Sequence, residues 1–255
     1  MREAIARQIR GAQVRAPWLF GLKDAVQRGV RRRLKRPFEQ DFEALRALGP
    51  DPSGLILDIG GNRGQSIDAV RLTLPRAPII SFEPNPQLAD DLKYLFKTDA
   101  NVDFRQRALG DRPGEFTLFI PYYNGWMFDG LASLDRAEAE SWLSADNLAG
   151  FDSQKVTIRE VTCQVSTLDA ECPGLSPVFV KIDVQGFEPN VLDGGRALLE
   201  RARPVVMLES RHDVDMLAHL PAGYEAAHYD GTTLKLGDRQ TMNTFYLPAE
   251  IARRF

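Results

Sequence analysis

The segment LDIGGNRGQS, residues 57–66, places an acidic residue, three glycines and several polar side chains within ten positions. Asp58 ends an apolar run, and glycines after it allow the backbone to turn sharply and to approach a ligand without a Cβ atom in the way. A phosphate-binding loop of the GxxxxGK[ST] type is excluded, because the segment contains no lysine. The GxGxxG fingerprint of dinucleotide-binding proteins fits weakly, because Gln65 stands where helix packing requires a small residue.

The charge of Asp58 discriminates between the ligands that such a loop can bind. A carboxylate repels a pyrophosphate but attracts an ammonium group, and S-adenosylmethionine carries one. In this interpretation Gly60 and Gly64 approach the cofactor, while Asn62 and Ser66 offer polar contacts near the N-terminus of a helix. The alternative is a glycine-rich turn with a purely structural role.

A second acidic residue follows in SFEPNP, residues 81–86, 23 positions after Gly60. Glu83 ends another apolar run and is placed to accept hydrogen bonds from both hydroxyls of a ribose. Pro84 and Asn85 complete this part of the predicted cofactor site. Folds that bind NAD also place an acid here, and an exposed glutamate at a helix start is the structural alternative.

Several ionisable residues near the ends of later apolar runs are candidates for catalysis. Asp183 is the first candidate for a general base that takes the proton of an acceptor hydroxyl, and Lys181, two residues earlier, points to the same face and can pair with it. His212 is the second candidate because imidazole titrates near neutral pH. Glu209 and Glu188 can orient substrate hydroxyls or, with Asp183, bind Mg²⁺ through oxygen ligands. The metal requirement is left open, with a magnesium ion as the less favoured case.

The elements that must position these residues follow from alternating apolar runs and helical patterns. Strands are predicted in GLILDIG, APIISFEP, NVDFRQRAL, PVFVKIDV and RPVVMLES, and helices over 64–74, 86–97, 187–201 and 212–220. This alternation predicts an α/β fold with a mostly parallel, doubly wound sheet. A turn at Asp230-Gly231 adds an antiparallel hairpin at one edge. Ligands of such sheets bind beyond the carboxyl ends of the strands, where five candidates fall: Asp58, Glu83, Arg107, Asp183 and Glu209.

Two segments stand outside this alternation. Residues 1–49 are predicted to form a basic helical extension before a single domain over 50–255, and residues 116–164 an insertion on the substrate side, read as strand, aromatic loop, short helix and strand. The insertion carries Tyr122, Tyr123, Trp126 and Phe128, whose rings suit a carbohydrate, a hydrophobic polyketide or phenol, or packing alone.

Charge is distributed unevenly along the chain. Residues 1–37 contain 11 Lys/Arg and 2 Asp/Glu, which leaves 21 basic and 33 acidic residues in the remainder. The basic segment predicts either a solvated helix face or a peripheral contact with the inner face of a membrane. Nucleic acid is not expected as a partner, because no recognition motif accompanies the charge.

Several classes of protein are disfavoured by composition. The sequence has no apolar run of the roughly 18 residues that a membrane-spanning helix needs, and its start does not resemble a signal peptide, so we expect a cytoplasmic protein. Cys163 and Cys172 are too few for a disulfide framework and lack the spacing of a metal site.

Five segments together resemble the FkbM family of S-adenosylmethionine-dependent methyltransferases: LDIGGNRGQS, SFEPNP, RALGDRPGEFTL, STLD and VKIDVQGFEPNVLDGG. The likeness extends over about residues 53–247 and is most specific in residues 181–195. It implies a Rossmann-like class I methyltransferase fold and O-methylation, often of sugar or polyketide-type hydroxyls. Gln185 stands where members commonly have Glu. Arg107 stands where many related enzymes bind adenine through an acid, so the backbone of Ala108 and Leu109 is the expected adenine contact.

We therefore expect an S-adenosylmethionine-dependent O-methyltransferase with a small-molecule or glycan acceptor, and favour a sugar hydroxyl of a glycan precursor or glycosylated metabolite. A nicotinamide-dependent oxidoreductase is the first alternative, but GxGxxG and an obvious Ser/Tyr/Lys catalytic set are missing. A non-catalytic module of a membrane-associated assembly is the second, suggested by the basic N-terminal segment. A glycoside hydrolase would leave the glycine loop unexplained.

Overall fold

The structure is a computed structural model that describes residues 18–210, 214–237 and 242–255, with side chains from residue 25 onward. The described chain forms two compact units, one of residues 18–34 and 115–163 and a larger one of residues 35–114 and 164–255. Every predicted cofactor and catalytic residue that the structure describes belongs to the larger unit.

Twelve strands occur in the described residues: β1 (Leu55–Ile59), β2 (Ile79–Phe82), β3 (Val102–Arg105), β4 (Ala108–Leu109), β5 (Gly114–Tyr123), β6 (Trp126–Met127), β7 (Val156–Ser166), β8 (Pro177–Ile182), β9 (Val205–Glu209), β10 (Tyr224–Tyr229), β11 (Leu234–Leu236) and β12 (Asn243–Pro248). Eight of them form the central sheet of the larger unit, in the order β11-β10-β12-β9-β8-β1-β2-β3. The strands from β9 to β3 pair in parallel, which confirms the predicted α/β fold with a mostly parallel sheet.

Both faces of this sheet are covered by apolar side chains. Ile56 and Phe179 belong to one buried cluster, whereas their chain neighbours Leu57 and Val180 belong to another. Because successive side chains of a strand point to opposite faces, the two clusters lie on opposite sides of the sheet. Strands buried on both faces read as continuous apolar runs, and this is why they were recognisable in the sequence.

The antiparallel part lies at one edge, as predicted. β10 and β11 form the expected hairpin, in which the side chain of Asp230 accepts hydrogen bonds from the backbone N–H groups of Thr232 and Thr233. β12 runs antiparallel between β9 and β10, and all six of its residues are buried. Its first residue, Asn243, therefore lies beside the last residue of β9, Glu209.

The crossover helices differ from the predicted ones in two places. Helices Gln65–Thr73 and Pro86–Leu95 confirm two predictions. The helix predicted over 187–201 is divided into Glu188–Asp193 and Arg196–Ala202, with Gly194 and Gly195 between them. A Cβ atom at Gly194 would overlap with the carbonyl oxygen of Gly110. The helix predicted over 212–220 is wrong: residues 211–213 lie outside the described residues, and the rest contains only the 3₁₀ turn Met216–His219 before Pro221.

The smaller unit contains helix Trp18–Leu34, strands β5 and β6, most of β7 and helix Arg136–Ser141. The predicted aromatic loop is a tight hairpin, in which Tyr122 and Tyr123 pair with Met127 and Trp126 across a turn of residues with positive φ. Tyr123 is buried in a small apolar cluster and stacks on Phe151. Among the described residues, no helix has the length and apolarity needed to cross a membrane.

Candidate functional site

Three polar residues lie side by side on adjacent strands near the carboxyl edge of the sheet. Asp58 on β1 is in register with Ser81 on β2 and with Lys181 on β8. Ser81 Oγ donates a hydrogen bond to Oδ2 of Asp58 at 2.8 Å, and Nζ of Lys181 lies 3.7 Å from Oδ1. The aligned strands thus assemble a buried polar row across β2, β1 and β8 of the central sheet.

Asp58 is only 2% exposed, and its Oδ1 accepts no hydrogen bond from any of the described residues. The distance to Lys181 is too long for a hydrogen bond, although it allows a charge interaction. A buried carboxylate oxygen without a donor carries a large desolvation cost. A ligand with an ammonium group would supply the missing donor.

Lys181 connects this row with the loop after β1 and with the candidate base. Its Nζ donates a hydrogen bond to the carbonyl oxygen of Gly60 at 2.8 Å and lies 3.5 Å from Oδ2 of Asp183, which confirms the predicted pair. Burial alone would lower the pKa of Lys181, but the carboxylates of Asp58 and Asp183 outweigh it, so the pKa is raised. Lys181 is therefore a fixed cation at neutral pH.

Glu83 follows β2 and is also buried. Its two carboxylate oxygens each accept one backbone N–H group, Oε2 from Asn62 at 2.8 Å and Oε1 from Asn85 at 2.9 Å. Burial raises the pKa of Glu83 to about 7, although these two hydrogen bonds act in the opposite direction. Each oxygen keeps a lone pair, so the carboxylate can still accept hydrogen bonds from a diol.

The glycines of the loop are required by the protein's own packing. Gly60 and Gly64 have φ angles of 84° and 76°, which other residues rarely adopt. A Cβ atom at Gly60 would overlap with the carbonyl oxygen of Asp183, and one at Gly64 would collide with the ring of Phe96. From the sequence we expected these glycines to allow the approach of a cofactor. The structure shows that Gly60 is also needed because the loop packs tightly against the end of β8.

The other residues of the predicted cofactor site differ in what they do. Asn62 has a φ of 43°, which turns its N–H group toward Glu83. The side chain of Asn85 caps helix Pro86–Leu95 by accepting a hydrogen bond from the backbone N–H of Gln87. Ser66 is buried in the first turn of helix Gln65–Thr73, whereas Pro84 is partly exposed.

The strand predicted over NVDFRQRAL is interrupted, whereas the adenine contact expected of the backbone of Ala108 and Leu109 stays a prediction. β3 ends at Arg105, and Ala108 and Leu109 form β4, which pairs with Val165 and Ser166 instead of joining the central sheet. Arg107, expected at a strand end, lies between the two strands with its Nε 3.6 Å from Oε1 of Glu171.

The loop after β8 places a side-chain amide between two carboxylates. Gln185 has a φ of 52°, and its Nε2 donates to Oδ1 of Asp183 at 3.0 Å and to Oε2 of Glu209 at 3.4 Å. The carboxylate of Glu188 holds this loop by accepting the backbone N–H groups of Val184 and Gly186. Glu188 is 0% exposed, and the structure shows it holding this loop; the substrate or metal role considered from the sequence stays a prediction.

A second polar group at this edge was missed by sequence reasoning. Nδ2 of Asn243 donates to Oε2 of Glu39 and to Oδ2 of Asp41, each at 3.0 Å. Burial raises the pKa of Glu39, while Asn243 and the nearby charge of Lys181 act against it. No local signal could reveal this group, because Asn243 and Glu39 are 204 positions apart.

The two histidines that the structure describes each contact an oxygen atom of the protein. His212 lies outside the described residues. Nδ1 of His219 is 3.0 Å from Asp193, and Nδ1 of His228 is 2.9 Å from the carbonyl oxygen of Gly237. In the described ranges no cluster of three or more His, Cys, Asp or Glu side chains is arranged to hold a metal ion.

Comparison with known proteins identifies a family. The model of the "Methyltransferase FkbM domain" matches residues 58–225. The 2-O-methyltransferase NoeI of Sinorhizobium fredii (strain NBRC 101917 / NGR234) is 27% identical over 157 residues, which are 60% of this chain and 61% of that protein. The chain thus spans about three-fifths of this curated relative's length.

Two solved structures are among those similar to the chain. The methyltransferase FkbM from Methylobacillus flagellatus KT has a TM-score of 0.48 and 14% identity, covering 76% of this chain and 43% of that one. An rRNA methylase from Streptococcus thermophilus has a TM-score of 0.43 and 10% identity, covering 83% of this chain and 94% of that one.

Proposed function

Because the chain belongs to the FkbM methyltransferase family, we propose that it transfers a methyl group from S-adenosylmethionine to a hydroxyl group of a sugar, on a glycan precursor or a glycosylated metabolite. The observation that carries the cofactor assignment is the buried Oδ1 of Asp58, which lacks a hydrogen-bond donor among the described residues. The acceptor assignment rests on the polar groups at the carboxyl edge.

The residues after β1 and β2 fit this cofactor. Asp58 would accept a hydrogen bond from the ammonium group of its methionine part, and Glu83 would accept hydrogen bonds from both ribose hydroxyls. Asp58 lies on β1 and Glu83 directly follows the neighbouring strand β2, and the backbone N–H of Asn62, in the loop after β1, donates to Glu83. S-adenosylmethionine has an ammonium group and a ribose diol, and a carboxylate suits each of them: Asp58 the ammonium group and Glu83 the diol.

When bound, S-adenosylmethionine supplies an electrophilic methyl group that an oxygen nucleophile can attack in line. The chain itself must orient the acceptor and remove its proton. Asp183 is half-buried at the carboxyl edge, with one oxygen bonded to Gln185 and the other facing Lys181. As the acceptor oxygen takes the methyl group and the carbon–sulfur bond breaks to leave a neutral thioether, the Asp183 carboxylate would accept the hydroxyl proton. His212 stays the second candidate for this role.

A sugar acceptor is supported by the character of the groups around Asp183. Gln185 is hydrogen-bonded to Asp183 and Glu209, and Asn243 to Glu39. Two such groups of donors and acceptors suit a ligand with many hydroxyls. The name of NoeI, a 2-O-methyltransferase, supports an oxygen acceptor. The aromatic residues of the insertion support a sugar acceptor less than expected from the sequence, because Tyr122 and Tyr123 are buried.

The proposal is tested by an acceptor screen with S-adenosylmethionine, in which mass spectrometry detects the gain of one methylene unit, with and without a chelator. We expect transfer to sugar hydroxyls, and the chelator arm decides the metal requirement. Transfer only to phenols or amines would contradict the acceptor class. Calorimetric binding of NAD without binding of S-adenosylmethionine would contradict the cofactor and favour a nicotinamide-dependent enzyme.

A further inference from the structure

Helix Trp18–Leu34 carries a row of apolar side chains in contact with water. Val26, Val30 and Leu34 are 55%, 51% and 63% exposed. Residues four apart lie above one another on the same face of a helix. Single exposed apolar residues are common on protein surfaces, but three aligned ones form an apolar face that indicates a binding partner.

The same stretch is densely basic. Residues 25–36 contain five arginines and one lysine and no acidic residue. Arg32 and Arg33 in the last turn, and Lys35 and Arg36 just after it, are exposed. The remainder of the chain after residue 37 holds 21 basic and 33 acidic residues, so positive charge is concentrated where the apolar row lies.

We propose that residues 25–36 form a docking surface for an anionic lipid bilayer, here called the basic helix face. Val26, Val30 and Leu34 enter the boundary between headgroups and acyl chains. The anionic headgroups are contacted by the exposed basic side chains, which are Arg32, Arg33, Lys35 and Arg36. The aliphatic stems of arginine and lysine allow their charged ends to reach the headgroup level from a helix lying in the plane of the membrane.

Other partners satisfy only one of the two properties. A nucleic acid would pair with the positive charges but would leave the apolar row in water. A second copy of the chain would cover the apolar row but would bring two sets of like charges together. An anionic bilayer satisfies both, and it repels the acidic remainder of the chain, so attachment is confined to the basic helix face.

The test is cosedimentation of the full chain with vesicles of phosphatidylcholine alone or mixed with phosphatidylserine. We expect the chain to bind the anionic vesicles at least about tenfold more tightly than the neutral ones. Raising the salt from low to above physiological concentration should weaken binding to the anionic vesicles about tenfold. Binding that is equal for both vesicle types, or absent from both, overturns the proposal.

Two variants separate the apolar and charged contributions. The combined change Val26→Ala, Val30→Ala and Leu34→Ala removes apolar surface while raising helix propensity, so a loss of binding cannot be ascribed to a weakened helix. We expect this triple variant to bind vesicles about tenfold more weakly, or weaker still. The double variant Arg32→Gln with Arg33→Gln should bind anionic vesicles more weakly, and its binding should depend less on salt. The affinity for S-adenosylmethionine should not change in either variant.

Leu236→Ala is the matched control, because Leu236 is 42% exposed in β11 and far along the sequence from the basic helix face. It should bind vesicles as the wild type does, and an equal loss in this variant contradicts the proposal.

Sedimentation equilibrium and binding to DNA test the other two partners. A dimer that the triple alanine variant dissociates, without vesicle binding by the wild type, would assign the face to a second copy of the chain. Binding to a short DNA duplex without vesicle binding would assign it to nucleic acid.

Discussion

Nε2 of Gln185 donates a hydrogen bond to Oδ1 of Asp183 at 3.0 Å and reaches Oε2 of Glu209 at 3.4 Å, so one amide links the ends of two neighbouring strands. The φ of 52° at Gln185 costs a residue with a Cβ atom about 1–2 kcal/mol. The buried carboxylate of Glu188 maintains this conformation through the backbone N–H groups on both sides. The loop therefore fixes the Asp183 carboxylate before an acceptor binds.

Replacement of Gln185 tests whether the amide positions Asp183. Gln185→Glu keeps the shape but exchanges the donor for a third carboxylate, and we expect kcat for methyl transfer to fall about tenfold or more, with little change in cofactor affinity. Gln185→Gly removes the amide while it relieves the backbone strain, so it should also lose activity but unfold at a higher temperature. Wild-type kcat in the glycine variant would show that the amide does not position Asp183.

Asp183→Asn tests the proton acceptor. The change keeps the size of the side chain but removes its basicity, and we expect methyl transfer to fall by about 10²–10⁴-fold. The affinity for S-adenosylmethionine, measured by calorimetry, should stay within about threefold of the wild type. Asp90→Asn, which removes an exposed carboxylate paired with Lys93, is the control and should not affect turnover. Full activity of Asp183→Asn would leave His212 as the candidate base.

Asp58→Asn tests the ammonium contact. Loss of the buried charge should weaken the binding of S-adenosylmethionine by about 1.5–3 kcal/mol, measured by calorimetry. Ser81→Ala removes only the hydrogen bond on the other oxygen of Asp58 and should affect affinity far less. Equal affinities of Asp58→Asn and wild type would refute the contact, provided that circular dichroism shows both to be folded.

The raised pKa of Glu83 predicts how stability depends on pH. Its pKa is about 7 in the folded chain against an ordinary value of 4.5, so the folded state holds this proton more tightly than the unfolded state. The contribution of Glu83 to stability is therefore complete below pH 4.5 and is lost as the pH rises through about 7. The loss is on the order of 3 kcal/mol. Urea unfolding at several pH values without cofactor, for wild type and Glu83→Gln, measures it. An unchanged pH dependence in Glu83→Gln would be inconsistent with the shift.

Gly60→Ala tests the close packing of the loop on β8. A Cβ atom there would overlap with the carbonyl oxygen of Asp183, and we expect a loss of about 3 kcal/mol or more in the free energy of unfolding. Gly174→Ala is the control, since Gly174 also has a positive φ of 70° but has open space around the position of a Cβ atom. It should lose only about 1–2 kcal/mol. Equal losses in both variants would mean that backbone conformation alone requires Gly60.

Local sequence patterns predicted the part of the site that is built from strand ends. The apolar runs of β1, β2 and β8 each terminate at a polar residue, so the shared edge of Asp58, Glu83 and Asp183 follows from a parallel sheet. The same logic could have found Ser81, because it lies two residues before Glu83 on the same strand face and in register with Asp58.

What the sequence could not predict depends on contacts between distant segments. One strand was predicted over NVDFRQRAL, yet Ala108 and Leu109 pair with β7 instead of joining the central sheet. The close approach of Gly194 to the carbonyl oxygen of Gly110, 84 positions earlier, is likewise visible only in the folded chain. Gln185 stands where members of the family commonly have Glu, so the sequence indicated only the absence of an acid. The loop geometry shows that the amide of Gln185 joins Asp183 and Glu209.

The hydrogen bond between Asn243 and Glu39 has a consequence for the order in which the chain folds. It closes a loop of 204 positions, whereas the hydrogen bond from Asn62 to Glu83 closes a loop of only 21. Contacts of long sequence separation form late because the entropy of loop closure must be overcome first. We therefore expect the loops after β1 and β2 to meet early in folding, and the group of Asn243 and Glu39 to assemble only once distant parts of the chain have come together.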